Sequence, residues 1–157
     1  MYIIIIILIM FAFPLGSIFI ERFIININAE VLPLIGKWFV FWLTGIRLLT
    51  AGLRQTFNPQ FTAQKIFAIK SKESLVLVQE LGFANISMGV LGISVIINNN
   101  WIMPSALVGC LFYGFAGIRH FLKKEKSSLE NAAMISDLYA FLILLALFAV
   151  NIYSWLK

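Results

Sequence analysis

Apolar residues along this chain fall into five long blocks with short polar breaks between them. The blocks cover about 2–20, 34–53, 75–97, 101–121 and 132–156. An α-helix needs ~20 residues to cross a hydrocarbon core of ~30 Å, and each block meets or nears that length. A backbone in lipid must satisfy its own hydrogen bonds, so such blocks become helices. The pattern predicts an all-α fold, a polytopic membrane helical bundle of five transmembrane helices, with 1–157 as a single integral membrane domain.

The blocks differ in what interrupts them. The first is a β-branched, lipid-like run with Pro14 and Gly16 late in it; these residues bend a helix and leave backbone groups for neighbours to satisfy. It has no basic n-region and no A-x-A site, and it is too long for an h-region, so cleavage as a signal peptide is not expected. Asn26, Asn28 and Pro33 predict a loop over 21–33, kept at the membrane surface by Phe23, Ile24, Ile25 and Ile27. The second block carries Trp38 and Trp42 near its start, where an aromatic belt belongs. It also carries Arg47. Lys37 and Arg54 already mark its two ends, so no shift of the window brings Arg47 out of the bilayer. Thr44, Arg47, Ala51, Arg54 and Gln55 share one helical face, which must point inward or to water.

The third block contains Glu80-Leu81-Gly82-Phe83-Ala84-Asn85-Ile86-Ser87-Met88-Gly89-Val90-Leu91-Gly92. Gly82, Asn85, Gly89 and Gly92 share one face at three- and four-residue steps, and Glu80, Ser87 and Ser94 share the opposite one. Small groups on one side and polar groups on the other predict protein neighbours on both, which puts this helix at the centre of the bundle. Asn98-Asn99-Asn100 is a tight turn, and Pro104 falls in the first turn of the fourth block. Ala106, Gly109, Tyr113, Gly117 and His120 form that block's small and polar stripe, expected to pack on the glycine face of the third. Ser127-Ser128-Leu129-Glu130 fits a capping box with Ser127 as N-cap of the fifth block. Tyr153 and Trp155 form a belt at its far end. The polar stretch 55–74 reads in two ways: a short helix capped by Thr62 and lying on the membrane, or a solvated loop.

Composition agrees with the pattern. The chain is 61% hydrophobic and 12% charged, where a soluble domain is about a quarter charged. A net charge of +5 would suggest nucleic acid in a soluble protein, but here the cations gather in loops, and no nucleic-acid partner is expected. Five spans put the N-terminus and the 55–74 and 123–126 loops on one side. That side holds Arg54, Lys65, Lys70, Lys72, Arg119 and the lysines of 123–126, against Arg22, Lys37 and Lys157 on the other. The positive-inside rule then predicts a multi-pass protein of the cytoplasmic membrane, N-terminus cytoplasmic and C-terminus outside. Cys110 has no cysteine partner, and the lone His120 excludes multi-histidine metal or haem sites, so no metal or other cofactor is expected. Gly36-Lys37 lacks the earlier glycine of a phosphate loop, and neither G-x-S-x-G nor H-E-x-x-H occurs.

Charge inside the blocks points to one layer. Arg47, Glu80 and Asp137 each lie seven residues inside a flanking charge, respectively Arg54, Glu73 and Glu130. Seven residues are ~10 Å of helix, so the three share a depth, with Arg119 and His120 just above. A lone charge at a helix centre costs roughly 2.5–3.5 kcal/mol on insertion scales, and a partner at matched depth offsets much of that. The expectation is a charged cluster in the cytoplasmic leaflet, Arg47 bridging Glu80 and Asp137. A window of 138–156 also suffices to span, which would leave Asp137 at the surface.

Three stretches carry a family resemblance: Trp42…Gly45-Ile46-Arg47…Ala51-Gly52-Leu53-Arg54-Gln55…Pro59, Glu80-Leu81-Gly82-Phe83-Ala84-Asn85…Gly89, and Phe112-Tyr113-Gly114…Gly117-Ile118-Arg119-His120. Together they resemble an uncharacterised prokaryotic family of integral membrane proteins and, more distantly, the DoxX-like proteins. The resemblance covers about 38–145. DoxX-like proteins imply an up-down bundle of four helices, here blocks two to five, with block one outside. Some are linked to quinone, sulfur or thiol redox chemistry; for thiol chemistry this chain offers only Cys110.

The function expected is that of a small integral membrane protein with an inward polar layer of Arg47, Gln55, Glu80, Asn85, His120 and Asp137. That layer suits a quinone-like or lipid-like amphipathic ligand. Two other classes compete: an accessory or scaffold subunit holding a membrane-protein partner's helix on its glycine faces, and a membrane enzyme using Glu80 or Asp137 as acid or base. A pocket lined by Glu80 favours ligand or enzyme; a filled core with an exposed small-residue groove favours the scaffold.

Overall fold

A computed structural model describes residues 2–155, with side chains described over 4–151. Its five long apolar helices are α1 (Ile4–Ile25), α2 (Val31–Phe57), α3 (Ser74–Ile96), α4 (Asn99–Leu122) and α5 (Ser128–Asn151). No strand occurs among the described residues. The all-α bundle of five membrane-length helices is therefore the observed architecture.

Successive helices run antiparallel, as their close contacts show. Glu21 of α1 meets Lys37 of α2, and Ser17 meets Trp42. A Cβ added at Gly52 would lie 2.7 Å from the Gly82 carbonyl oxygen, and one at Gly45 3.0 Å from Gly92. Ser105 of α4 donates to the Leu91 carbonyl of α3 at 3.0 Å. Gly109, Gly114 and Gly117 abut Leu144, Phe141 and Leu138 of α5 in that order. The fold is thus two tight hairpins, α2/α3 and α4/α5, with α1 laid along α2.

The helices run past the expected blocks at several ends. α1 stays helical through Ile25, and only about 26–30 is loop. Glu21 explains the extension: its carboxylate accepts from Lys37 Nζ at 2.8 Å and from Trp38 Nε1 at 2.7 Å, so a charge near the helix end is held within the protein. Pro33 does not delay α2, because it is the third residue of a helix starting at Val31. No intrahelical acceptor exists there for an N–H, and a proline costs little. Pro14 leaves the Met10 carbonyl without its helical donor. Tyr139 of α5 donates to that oxygen at 3.5 Å, and Phe11 packs on the same ring. The Tyr153–Trp155 belt falls outside the described side chains.

Two packing expectations are corrected. The central helix is α2, the most buried of the five, and not α3. The glycine face of α3 packs on α2, against Gly45, Leu49, Gly52 and Thr56, rather than on α4. The α4 stripe packs on Thr44 and α5 instead. Ser87 and Ser94, expected to need protein neighbours, donate to their own helix carbonyls at Phe83 and Val90, both at 2.9 Å. Satisfied locally, that side of α3 can face lipid.

Before Arg47 the α2 backbone widens to π-helical hydrogen bonding over Val40–Ile46. Its Val40, Leu43 and Thr44 are fully buried. Val40 and Leu43 pack with Val95, Ala106, Cys110 and Leu144 in the closed half of the bundle. Below Arg47 that packing ends.

Candidate ligand-binding site

Where the core stops, a cavity of about 780 Å3 begins. That lies within the ~300–1,000 Å3 typical of small-molecule sites. All five helices contribute to its wall, and the segment after α2 closes over it. Its apolar side includes Ile5, Ile6 and Ile9 of α1, Leu48 of α2, Leu81 of α3 and Phe112 of α4.

The floor is an ion pair. Arg47 Nη2 donates to Asp137 Oδ1 at 2.6 Å and to Ser136 Oγ at 2.7 Å, and Nη1 reaches the Ser136 carbonyl at 3.4 Å. Ser136 Oγ–H in turn donates to the Ala133 carbonyl at 2.8 Å. The guanidinium carbon sits 4.4 Å from the centre of the Tyr113 ring. Tyr113 OH in turn donates to the Leu43 carbonyl at 2.5 Å. That carbonyl belongs to the π-helical stretch, so the ring supporting Arg47 is anchored one turn before it. Two charges taken from water are costly, and additional hydrogen bonds of this kind are what make such a pair tolerable.

One turn nearer the chain's loops lies a second layer. His120 faces Asp137 with Nε2, 4.0 Å from Oδ2, and Glu130 with Nδ1, 3.2 Å from Oε1. The other Glu130 oxygen accepts from Lys123 Nζ at 2.7 Å. Arg47, Asp137, His120, Glu130 and Lys123 therefore form one chain of alternating partners from mid-helix to the bundle end. Glu130 is 2% exposed. Ser127 does cap α5, its Oγ accepting from the Glu130 N–H at 3.1 Å. The Glu130 side chain, however, does not return to the cap as a capping box requires; His120 and Lys123 hold it.

A third polar pair spans α2 and α3. Asn85 Nδ2 donates to Gln55 Oε1 at 2.7 Å, both residues buried. Among the described residues, Asn85 Oδ1 is buried without a partner, as are the hydroxyls of Thr44 and Thr56.

The cover is the segment after α2, where Phe61–Ile66 forms a short π-helical turn. Thr62 and Ala63 are buried within it, so Thr62 is a packing residue and not the cap. Phe67 stacks on the His120 ring with centroids 6.1 Å apart, and its carbonyl accepts from Lys123 Nζ at 3.3 Å. Ala68 then takes a left-handed backbone, φ 57°, and turns the chain away toward α3. Neither a helix on the membrane nor a solvated loop describes this segment; it docks on the bundle.

Arg47, Gln55, Asn85, His120 and Asp137 all line this one cavity. Glu80 does not: it is exposed on α3 and forms no ion pair among the described residues. The bridge expected from Arg47 to Glu80 is absent because the glycine face of α3 is the one buried on α2, and Glu80 lies opposite it. Glu130, Lys123 and Ser136 join the network although the sequence places none of them in the polar layer: Glu130 reads as a cap residue and flanking charge, Lys123 as part of a basic loop. The spacing did hold a signal: Lys123 and Glu130 are seven residues apart across one short turn.

The fold and this cavity define a class, a small all-α protein of multi-pass membrane type with a polar network inside its bundle. The chain belongs to DUF6790, a family of unknown function, which matches residues 1–154. No curated protein and no solved structure matches it.

Proposed function

We propose that this protein binds an amphipathic, quinone- or lipid-like ligand in the cavity beneath the 61–69 segment. One observation carries the reading: buried polar groups from α2, α3, α4 and α5 converge on a 780 Å3 space whose other wall is apolar. Such a space, apolar with a few fixed polar groups, is the usual form of a small-molecule site. The partial resemblance to DoxX-like proteins, some linked to quinones, points the same way. In this reading the protein sits in the cytoplasmic membrane of a prokaryote with the cavity in the cytoplasmic leaflet. The cation excess of the Arg54, Arg119 and Lys123 end supports that orientation.

Scaffolding has less support. Only Gly16 has open space where a Cβ would go; the other glycines meet the protein's own atoms within 4 Å. The small-residue faces are thus already used within the bundle. An enzyme using Asp137 as acid or base would need to free that carboxylate from Arg47 and His120.

Native mass spectrometry of protein extracted in mild detergent tests the proposal. A retained species of lipid or quinone mass is the expected result. Apo-protein throughout, with added quinone and lipid also failing to bind, overturns it.

A further inference from the structure

We infer that the ligand is read through a carbonyl oxygen, which accepts a hydrogen bond from the Gln55 side-chain amide. The inference rests on the proposed ligand-binding reading and adds the chemistry of the polar end and the direction of the chain. Gln55 is 8% exposed and lines the cavity near the end of α2. Its amide oxygen is turned to Asn85 Nδ2 at 2.7 Å. Its amide nitrogen makes no hydrogen bond among the described residues, and it is not sealed within the protein as Asn85 Oδ1 is. The two N–H donors of this amide are therefore left to the cavity. Reversing both amides would put the Asn85 NH2 group where Oδ1 now lies, with no acceptor for it among the described residues. Orphaned buried N–H groups are rarer than under-satisfied carbonyls, which favours the orientation observed.

The protein supplies no acceptor for this donor. The two carboxylates of the cavity are held, Asp137 by Arg47 and Glu130 by Lys123 with His120. A ligand hydroxyl would accept from Gln55 but would bring a proton of its own to place. The two amide oxygens of the pair do not serve it: Gln55 Oε1 is engaged by Asn85, and Asn85 Oδ1 is buried. A carbonyl oxygen accepts and brings no proton. A quinone ring and a glycerolipid ester share that group. Leu48 lies seven residues before Gln55 on the same face of α2, ~10 Å along the axis. With Ile6 and Ile9 of α1 it lines the same space. A carbonyl at Gln55 thus sends the attached chain along leucine and isoleucine. An amphiphile without an acceptor would leave the amide unpaired, and an unsatisfied donor is costly.

Two matched pairs of probes decide the matter, each compound titrated separately into delipidated protein and read by native mass spectrometry. Monoolein and the oleyl ether of glycerol differ only in the carbonyl; a decyl-substituted quinone and its quinol differ in carbonyl against hydroxyl. The carbonyl member of a pair should bind more tightly by about tenfold, the effect of one buried hydrogen bond made or left unmade. A preference in the glycerol pair alone makes the ligand an ester lipid, and one in the quinone pair alone makes it a quinone; either supports the inference, as does a preference in both. Gln55→Leu with Asn85→Leu, which leaves no orphaned amide behind, should erase the preference. A preference kept by that variant places the carbonyl elsewhere and overturns the role of Gln55. Equal affinities within both pairs overturn the carbonyl inference and leave the amphiphile reading standing. No binding of any of the four overturns both.

Discussion

Arg47 and Asp137, ninety residues apart in sequence, meet through a 2.6 Å charge-assisted hydrogen bond in the middle of the bundle. Each would be poorly tolerated alone at that depth. Together, with Ser136 and the Tyr113 ring, they join α2 to α5 and α4. The pair separates two kinds of interior: packed aliphatic core on one side, polar cavity on the other. It therefore both fastens the two hairpins and forms the floor of the site.

Removing one partner should be far worse than removing both. Arg47→Ala or Asp137→Ala leaves a buried charge uncompensated and should cost about 3–5 kcal/mol. Arg47→Met with Asp137→Leu replaces the pair by apolar groups and should be close to neutral for stability. Chemical unfolding in detergent micelles measures all three variants. Single substitutions costing less than about 1 kcal/mol would mean that water reaches the pair freely.

Glu80 provides the matching control. It shares the depth of Arg47 by sequence, but it is exposed and unpaired by carboxylate–cation contact among the described residues. Glu80→Gln should change unfolding stability by no more than about 0.5 kcal/mol, the usual size for a surface substitution. A loss comparable to Arg47→Ala would restore Glu80 to the buried network.

Close helix approach makes the α2/α3 glycines intolerant of a single methyl. A Cβ at Gly82 would come 2.9 Å from both the Gly52 carbonyl oxygen and the Thr56 backbone nitrogen, neither of which can move alone. Gly82→Ala should destabilise by about 1–3 kcal/mol through overpacking. Gly16→Ala meets nothing within 4 Å, and alanine is the better helix former, so that variant should be at least as stable as the parent. Thermal melting of the two proteins side by side checks the contrast.

The spans were legible because bilayer thickness and backbone hydrogen bonding act on any chain alike, and these constraints appear directly as block length. Asp137 was legible as a partner for Arg47 because both lie seven residues inside a flanking charge. Rotation of α3 was not. Gly82 and Glu80 mark opposite faces of one helix, and nothing local says which face turns inward. The decision is made by α2, whose Gly45 and Gly52 admit only a glycine-lined neighbour at that distance. Glu130 was hidden for another reason: its spacing from Ser127 is that of a capping box. Only the fold brings His120 and Lys123 close enough to take its carboxylate away from the cap. Docking of the 61–69 segment depends on the same long-range contacts and leaves no periodic trace.

That docked segment should open when its latch is cut. Phe67→Ala removes the ring from His120, and Lys123→Ala removes the donor to the Phe67 carbonyl. An aromatic contact and a hydrogen bond each contribute about 1 kcal/mol, so losing both should raise the open population by roughly an order of magnitude or more. Limited trypsin digestion at Lys65, Lys70 and Lys72 reads this directly. Cleavage in the double variant should be faster by that factor while the spans stay intact. An unchanged rate would show that burial of Thr62 and Ala63 alone holds the segment.

Gln55 and Asn85 form the inner polar wall, and their pairing sets a test that separates stability from binding. Gln55→Leu removes the acceptor of the Asn85 amide. Asn85 already has an oxygen without a partner among the described residues, so both ends of its amide would then be unsatisfied in a buried position. The cost should be about 1–3 kcal/mol. Adding Asn85→Leu removes the orphaned groups and should recover most of that loss, since two apolar side chains of similar size need no partner. Ligand retention should not recover, because the double variant offers the cavity no polar atoms at this position. Unfolding measurements and native mass spectrometry on the same three proteins therefore move apart: stability returns with the second substitution and binding does not. Recovery of both would relegate this pair to packing.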